Sequence, residues 1–123
     1  MIKGVGTDIV NIERIKSSVD KFKEKFQHRI FTRDEWSYCW SKKNPYPSLA
    51  VRFAAKEAVL KALGTGKEKI KWLDIEVKLD SNGKPSISLF GMAAEIARSQ
   101  CISSFNLSLS HCSEYAIAFV VAE

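Results

Sequence analysis

The chain has 123 residues, 46% of them apolar, and its 19 Lys and Arg outweigh 14 Asp and Glu to give a formal net charge of +5. That length suffices to bury a core, the composition is that of a globular protein, and residues 1–123 read as one domain. No apolar run is long enough for a bilayer, Lys3-Gly4-Val5-Gly6-Thr7-Asp8 is no signal region, and three cysteines without Cys-x-x-Cys spacing indicate neither a disulfide framework nor a zinc site, so a cytoplasmic protein is expected.

In chain order, Ile2–Val10 reads as an opening strand with Asp8 among apolar neighbours near its end. Asp8 has two readings: an N-cap or turn former for a helix from Ile12 onward, or an acid that wants a cation. Positive charge then concentrates, since residues 1–43 hold ten Lys and Arg against six Asp and Glu. The excess includes Arg14, Lys16, Lys21, Lys23, Lys25, Arg29 and Arg33. It is either a solvated helix face or a footprint for an acidic partner. No nucleic-acid-binding signature accompanies it. Thr32 and Glu35 have capping-box spacing and start a helix through about Lys42, and Asn44-Pro45-Tyr46-Pro47 breaks the chain.

The next helix runs from Ser48 as N-cap to a stop at Gly64. At 100° per residue its apolar side chains cover nearly the whole circumference, so it should be largely buried, although Arg52, Lys56, Glu57 and Lys61 interrupt it. Glu57 lies on the side shared by Phe53 and Leu60, where an unpaired carboxylate is costly. It wants either a metal ion or an ion pair with Lys61 at i+4.

Trp72–Asp80 alternates as a half-buried strand, Ser81-Asn82-Gly83 signals a hairpin, and Pro85–Phe90 is the return strand. Gly91–Gln100 reads as a short helix with Met92, Ile96 and the alanines inward, followed by strands at Phe105–Ser110 and Tyr115–Val121. The fold class is α+β, one compact domain with an antiparallel-rich sheet packed against helices. His111-Cys112 suggests a nucleophile and base, but neighbours on extended chain point to opposite faces.

Several of these segments together resemble the holo-(acyl-carrier-protein) synthases, the small phosphopantetheinyl transferase family. Gly6-Thr7-Asp8-Ile9 matches its opening Gly-x-Asp-Ile, and Arg52 to Ala58 matches Arg-Phe-Ala-x-Lys-Glu-Ala. Asn82-Gly83-Lys84-Pro85, Ser108-Leu109-Ser110-His111 and Tyr115-Ala116 follow in order, so the resemblance covers essentially the whole chain. It departs at Cys112, where relatives often carry a small polar residue.

The resemblance implies a 4'-phosphopantetheinyl transferase-like fold and transfer of the 4'-phosphopantetheine arm of coenzyme A to a serine of acyl carrier protein, in fatty acid biosynthesis. The anionic pyrophosphate calls for Mg2+, a cation held by carboxylates, phosphate oxygens and water, and Asp8 and Glu57 supply the carboxylates. By resemblance Lys61 contacts phosphate, and Glu57 takes the serine proton directly or through a metal-bound water. Coenzyme A would lie along Arg52, Lys61, Gly64, Asn82, Gly83, Lys84, Pro85 and His111.

Plainer roles stay open for several of these: a C-cap for Gly64, a hairpin turn for Asn82-Gly83, a structural His111, and a core carboxylate or the nucleotide's 3'-phosphate as partner of Arg52. Arg14, Lys25 and Arg29 match the family's contacts to the acidic carrier protein. A homotrimer with active sites between subunits is implied, covering an apolar strand edge such as Tyr115–Val121; a monomer burying that strand internally is the alternative. A basic interaction module and a metal-dependent nucleotide hydrolase are the rival functional classes.

Overall fold

Six consecutive residues of the signature region, Phe53 to Ala58, include three alanines that let a helix be approached closely from several sides. The computed structural model, which describes all residues from Met1 to Glu123, turns this stretch into the axis of the molecule. Strand β1 (Gly4–Asn11) leads into helices α1 (Ile12–Phe22), α2 (Glu24–Ile30), α3 (Arg33–Trp40) and α4 (Tyr46–Leu63). A hairpin of β2 (Ile75–Leu79) and β3 (Pro85–Leu89) follows, then α5 (Gly91–Ser99), β4 (Phe105–His111) and β5 (Tyr115–Ala122). Both sheets are antiparallel, one ordered β1-β5-β4 and the other β2-β3, and the fold is α+β as expected.

Helix α4 has 18 residues and a length of about 27 Å at 1.5 Å per residue. Leu49, Ala50, Ala54, Ala55, Ala58 and Val59 have no exposure to water. The helix contributes to both hydrophobic clusters: Ala54, Ala58, Val59 and Leu63 pack with Ile75, Val77, Ala118 and Val120, whereas Leu49, Ala50 and Val51 pack with Ile12, Ile15, Ile30 and Phe31. Gly64 ends α4 in the left-handed region at φ 72°, its N–H donating to the Leu60 carbonyl.

Side chains alternate along a strand, so residues 4, 6 and 8 of β1 share the face turned toward α4. A Cβ at Gly6 would overlap the Ala58 carbonyl, and one at Gly4 the Ala62 carbonyl, so both glycines permit backbone-to-backbone packing. Asp8 is next on that face. On β5, Ala116, Ala118, Val120 and Ala122 point inward, while Tyr115, Ile117 and Phe119 point out.

Four expectations need correction. Ser48 does not cap α4: the helix begins at Tyr46, with Asn44 Oδ1 accepting from the Tyr46 N–H at 3.2 Å and Pro47 accommodated in a first turn that needs no N–H there. The strand expected from Trp72 starts at Ile75, because Trp72–Asp74 coil into a 3-10 turn in which Asp74 accepts from the Lys71 N–H. Met92 is exposed, and Ala93 and Ala97 form the buried stripe of α5. Finally, β5 is the central strand of its sheet rather than an edge, so what lies uncovered is a face.

Gly6→Ala is expected to cost about 1–3 kcal/mol, the range for forcing a methyl group into a filled core. A lower urea midpoint at unchanged slope would show it. An unchanged midpoint would mean that β1 does not lie against α4 as described.

Candidate active site

Two acids from distant parts of the sequence stand on elements that pack against each other, β1 and α4. Asp8 follows Gly6 on the inward face of β1, and Glu57 precedes Ala58, the residue against which Gly6 packs. Their side chains are only 18% and 19% exposed, respectively. Asp8 does not cap α1; Asn11 does so, its Oδ1 accepting from the Arg14 N–H at 3.1 Å.

Each acid faces a lysine, though not in the pairing expected from spacing. Lys61 Nζ lies 3.2 Å from Asp8 Oδ1 and donates to the Thr7 carbonyl at 2.9 Å, while Glu57 Oε2 is 3.6 Å from Lys67 Nζ. Both lysines are more than half exposed, so each pair is worth about 0–1 kcal/mol. Pairs that weak do not account for placing two acids in apolar surroundings. An all-oxygen pair of carboxylates beside a basic group fits a hard divalent cation that keeps other positions for water and phosphate. No group of three or more His, Cys, Asp or Glu side chains with metal-site spacing occurs, so any cation would depend on such outside ligands.

Beyond Lys61, the residues Leu60, Gly64, Thr65, Gly66, Lys67 and Glu68 enclose a cleft of about 380 Å³. Gly64 lines it, but its N–H is used by the helix cap and is not offered to a ligand.

A second cleft, about 330 Å³, opens between α4, the β2–β3 hairpin and the end of β4, and it gathers Arg52, Gly83, Pro85 and His111. Arg52 is 4% exposed and donates from Nη1 to the Ser48 carbonyl at 3.2 Å, with its guanidinium 4.7 Å from the centre of the Tyr38 ring. Its Nε has no partner, and no carboxylate pairs with it, so the core-carboxylate reading is not realised. A buried guanidinium with an unpartnered N–H is a group that could take an anion. Asn82 and Lys84 lie exposed on the turn, their backbone N–H groups bound to Asp80 Oδ1 at 2.8 and 2.9 Å. His111 and Cys112 do not bond each other; Cys112 is exposed, its thiol held below the usual range by hydrogen bonds with the Glu114 and Tyr115 backbone.

These groups do not share one site within the chain. Arg52 and Lys61 are nine residues apart on α4, which is about 13.5 Å along the axis and half a turn around it.

The basic residues fall on a third surface. Lys25 and Arg29 rim an apolar cleft of about 360 Å³ walled by Phe22, Phe26, Ile30, Phe53 and Trp72. Arg14 and Lys21 border a neighbouring cleft that shares Phe22. Phe53 stands one helical turn before Glu57, so this surface adjoins the acids. The sequence reading missed the apolar floor, and the only hint of it was Phe53 inside the signature. It also missed Lys67 and the buried pair Lys56–Glu35, whose Nζ and Oε1 are 2.7 Å apart.

Residues 4–120 match the family model described as the 4'-phosphopantetheinyl transferase superfamily. The holo-[acyl-carrier-protein] synthase of Protochlamydia amoebophila is 46% identical over 122 residues, covering 98% of each chain. The crystal structure of the Neisseria meningitidis holo-[acyl-carrier-protein] synthase superposes with a TM-score of 0.89 at 41% identity, covering 100% of this chain and 99% of that one. That of the Helicobacter pylori holo-[acyl-carrier-protein] synthase, solved in complex with coenzyme A, gives 0.85 at 37% identity, with 97% and 99% covered. With signature segments, fold and full-length relatives in agreement, this chain belongs to the holo-[acyl-carrier-protein] synthases, within the 4'-phosphopantetheinyl transferase superfamily.

Proposed function

We propose that this chain transfers the 4'-phosphopantetheine group of coenzyme A to a serine of apo-acyl carrier protein, releasing adenosine 3',5'-bisphosphate. The observation that carries the reading is the placement of two half-buried acids on packed elements, Asp8 against Lys61 and Glu57 against Lys67, with Phe53 one turn before Glu57 lining an apolar cleft rimmed by Lys25 and Arg29. Asp8 and Glu57 would hold Mg2+, which when bound supplies positive charge to the pyrophosphate. Lys61, whose ammonium is half exposed, is free to exchange Asp8 for a phosphate oxygen. The serine Oγ forms a bond to the β-phosphorus as the bond to the leaving 3',5'-bisphosphate breaks. Glu57 accepts the hydroxyl proton.

Arg52, with Gly83, Pro85 and His111 around it, is the site for coenzyme A's nucleotide end, with Asn82 and Lys84 on the same turn. Because Arg52 and Lys61 lie on opposite sides of α4, the reading requires that one coenzyme A span two subunits. The outward face of β1 and β5, where Val5, Ile9, Ile117 and Phe119 are all exposed, supports a homotrimer packed through that face. Arg14, Lys25 and Arg29 receive the acidic carrier. No helix is long and apolar enough to cross a membrane. On the same reading the enzyme works in the cytoplasm, charging the carrier of fatty acid biosynthesis.

Mass spectrometry of apo-carrier incubated with coenzyme A and Mg2+ tests the reaction. A carrier gaining one phosphopantetheine group supports it, whereas binding without modification would indicate an interaction module and breakdown of coenzyme A alone a hydrolase. Asp8→Ala and Glu57→Ala are expected to abolish transfer, and Glu57→Gln to lower kcat by about 10²–10⁴-fold, with circular dichroism unchanged. Near-native turnover in any of these variants would remove the proposed site. Reversing charge at Arg14, Lys25 and Arg29 should raise KM for the carrier about tenfold while leaving that for coenzyme A unchanged. Added salt should mimic this in the wild type, since screening acts over about 8 Å at physiological ionic strength. Phe119→Asp should dissociate the assembly in sedimentation analysis and abolish transfer together; an active monomer would refute the shared site.

A further inference from the structure

A cation without any exposure to water lies beneath the apolar cleft. Lys56 Nζ sits 2.7 Å from Glu35 Oε1 and donates to the carbonyls of Ile30 at 2.7 Å and Trp72 at 3.2 Å. Ile30 and Trp72 both line that cleft, and Phe53, its wall from α4, is three residues before Lys56 on the same helix. Ile30 also ends α2, the helix that presents Lys25 and Arg29.

The anchorage continues behind Glu35. Its Oε1 accepts from the Thr32 N–H at 2.8 Å and its Oε2 from the Val77 N–H at 2.8 Å, joining the start of α3 and strand β2 to the same point. One ammonium thus fixes α2, α3, the Trp72 turn and β2 onto α4. The next residue on α4 is Glu57.

Stability is a poor reason for such a pair. A buried ion pair is commonly no more stabilising than apolar side chains of the same volume, and desolvation lowers the Lys56 pKa against the raising influence of Glu35. What an apolar replacement lacks is direction: three acceptors set around one nitrogen define where the cleft walls stand. We propose that Lys56 is a positioning residue that sets the width of the carrier-binding cleft and registers it against Glu57. The inference rests on the transferase reading above. It gives Lys56 no contact with substrate. In-line transfer makes the placement matter, since displacing a bound nucleophile by about 1 Å can cost about 10²-fold in rate.

The test is a cycle of Lys56→Met, Glu35→Gln and the double variant, with wild-type enzyme alongside. Lys56→Met, which leaves a buried carboxylate without its cation, should melt well below wild type. The double variant should recover part of the loss, because both charges are gone, although one amide oxygen must serve where two carboxylate oxygens accepted the Thr32 and Val77 N–H groups. In the recovered double variant, kcat/KM for apo-carrier should remain about 10- to 100-fold down while KM for coenzyme A stays within about twofold. Wild-type carrier kinetics in the double variant would overturn the proposal, and so would equal damage toward both substrates, which marks a general loss of structure.

If the double variant does not fold, Lys56→Arg serves instead. It keeps the charge but forces a bulkier planar group between the cleft walls. The same selective loss toward the carrier is expected, and unchanged carrier kinetics would count against the clamp. Should wild-type enzyme itself modify no carrier, the transferase reading fails rather than this one.

Discussion

Between β1 and α4 there is room for hydrogen atoms but not for methyl groups at residues 4 and 6. Glycine is needed there for lack of space, not for an unusual backbone angle, because neither residue has positive φ. The consequence is a strand backbone resting directly on a helix backbone. A side chain as short as aspartate, placed two residues further along the strand, then reaches Lys61 on the helix. Any larger residue at position 6 would lift the strand and carry Asp8 away from the helix. Alanines 58 and 62 perform the reciprocal service from the helix side.

The charges on α4 occupy three physical situations. Lys56 is buried and satisfied, Arg52 is buried with an idle N–H, and Glu57 and Lys61 are near the surface with weak partners. Only the last two situations leave something for a ligand to do. Lys56 has its full set of three acceptors, so its contribution is to where things stand rather than to what is bound. Adjacent residues of one signature are thereby divided between geometry and chemistry.

Features set by a few neighbouring residues were readable from sequence. The Thr32–Glu35 capping box, the Asn82-Gly83 turn and the Gly64 stop all form, because each is closed by hydrogen bonds spanning four residues or fewer. Asp8 and Glu57 could be singled out as carboxylates among apolar residues, but the metal role given them rests on the family resemblance. What distant segments decide was not legible. Lys67 rather than Lys61 faces Glu57 because Lys61 is drawn to Thr7 and Asp8, more than fifty residues away in sequence. The apolar cleft escaped notice for the same reason, since α2, α4 and the Trp72 turn meet only in the folded chain. An apolar run marked Tyr115–Val121 as a strand but carried no information on its neighbours, and so its central place in the sheet stayed hidden.

That central place ties the first strand of the fold to its last. Gly4 pairs with Ala122 and Asp8 with Ala118, so β1 must wait for β5. On the ribosome, α1 to α4 can coil as they emerge, whereas β1 has no hydrogen-bonding neighbour until β5 has emerged. A truncated or stalled product would therefore carry the Glu57 helix without a seated Asp8. Nascent chains of this protein that lack β5 leave β1, and Asp8 on it, without the strand neighbour that holds them in the sheet.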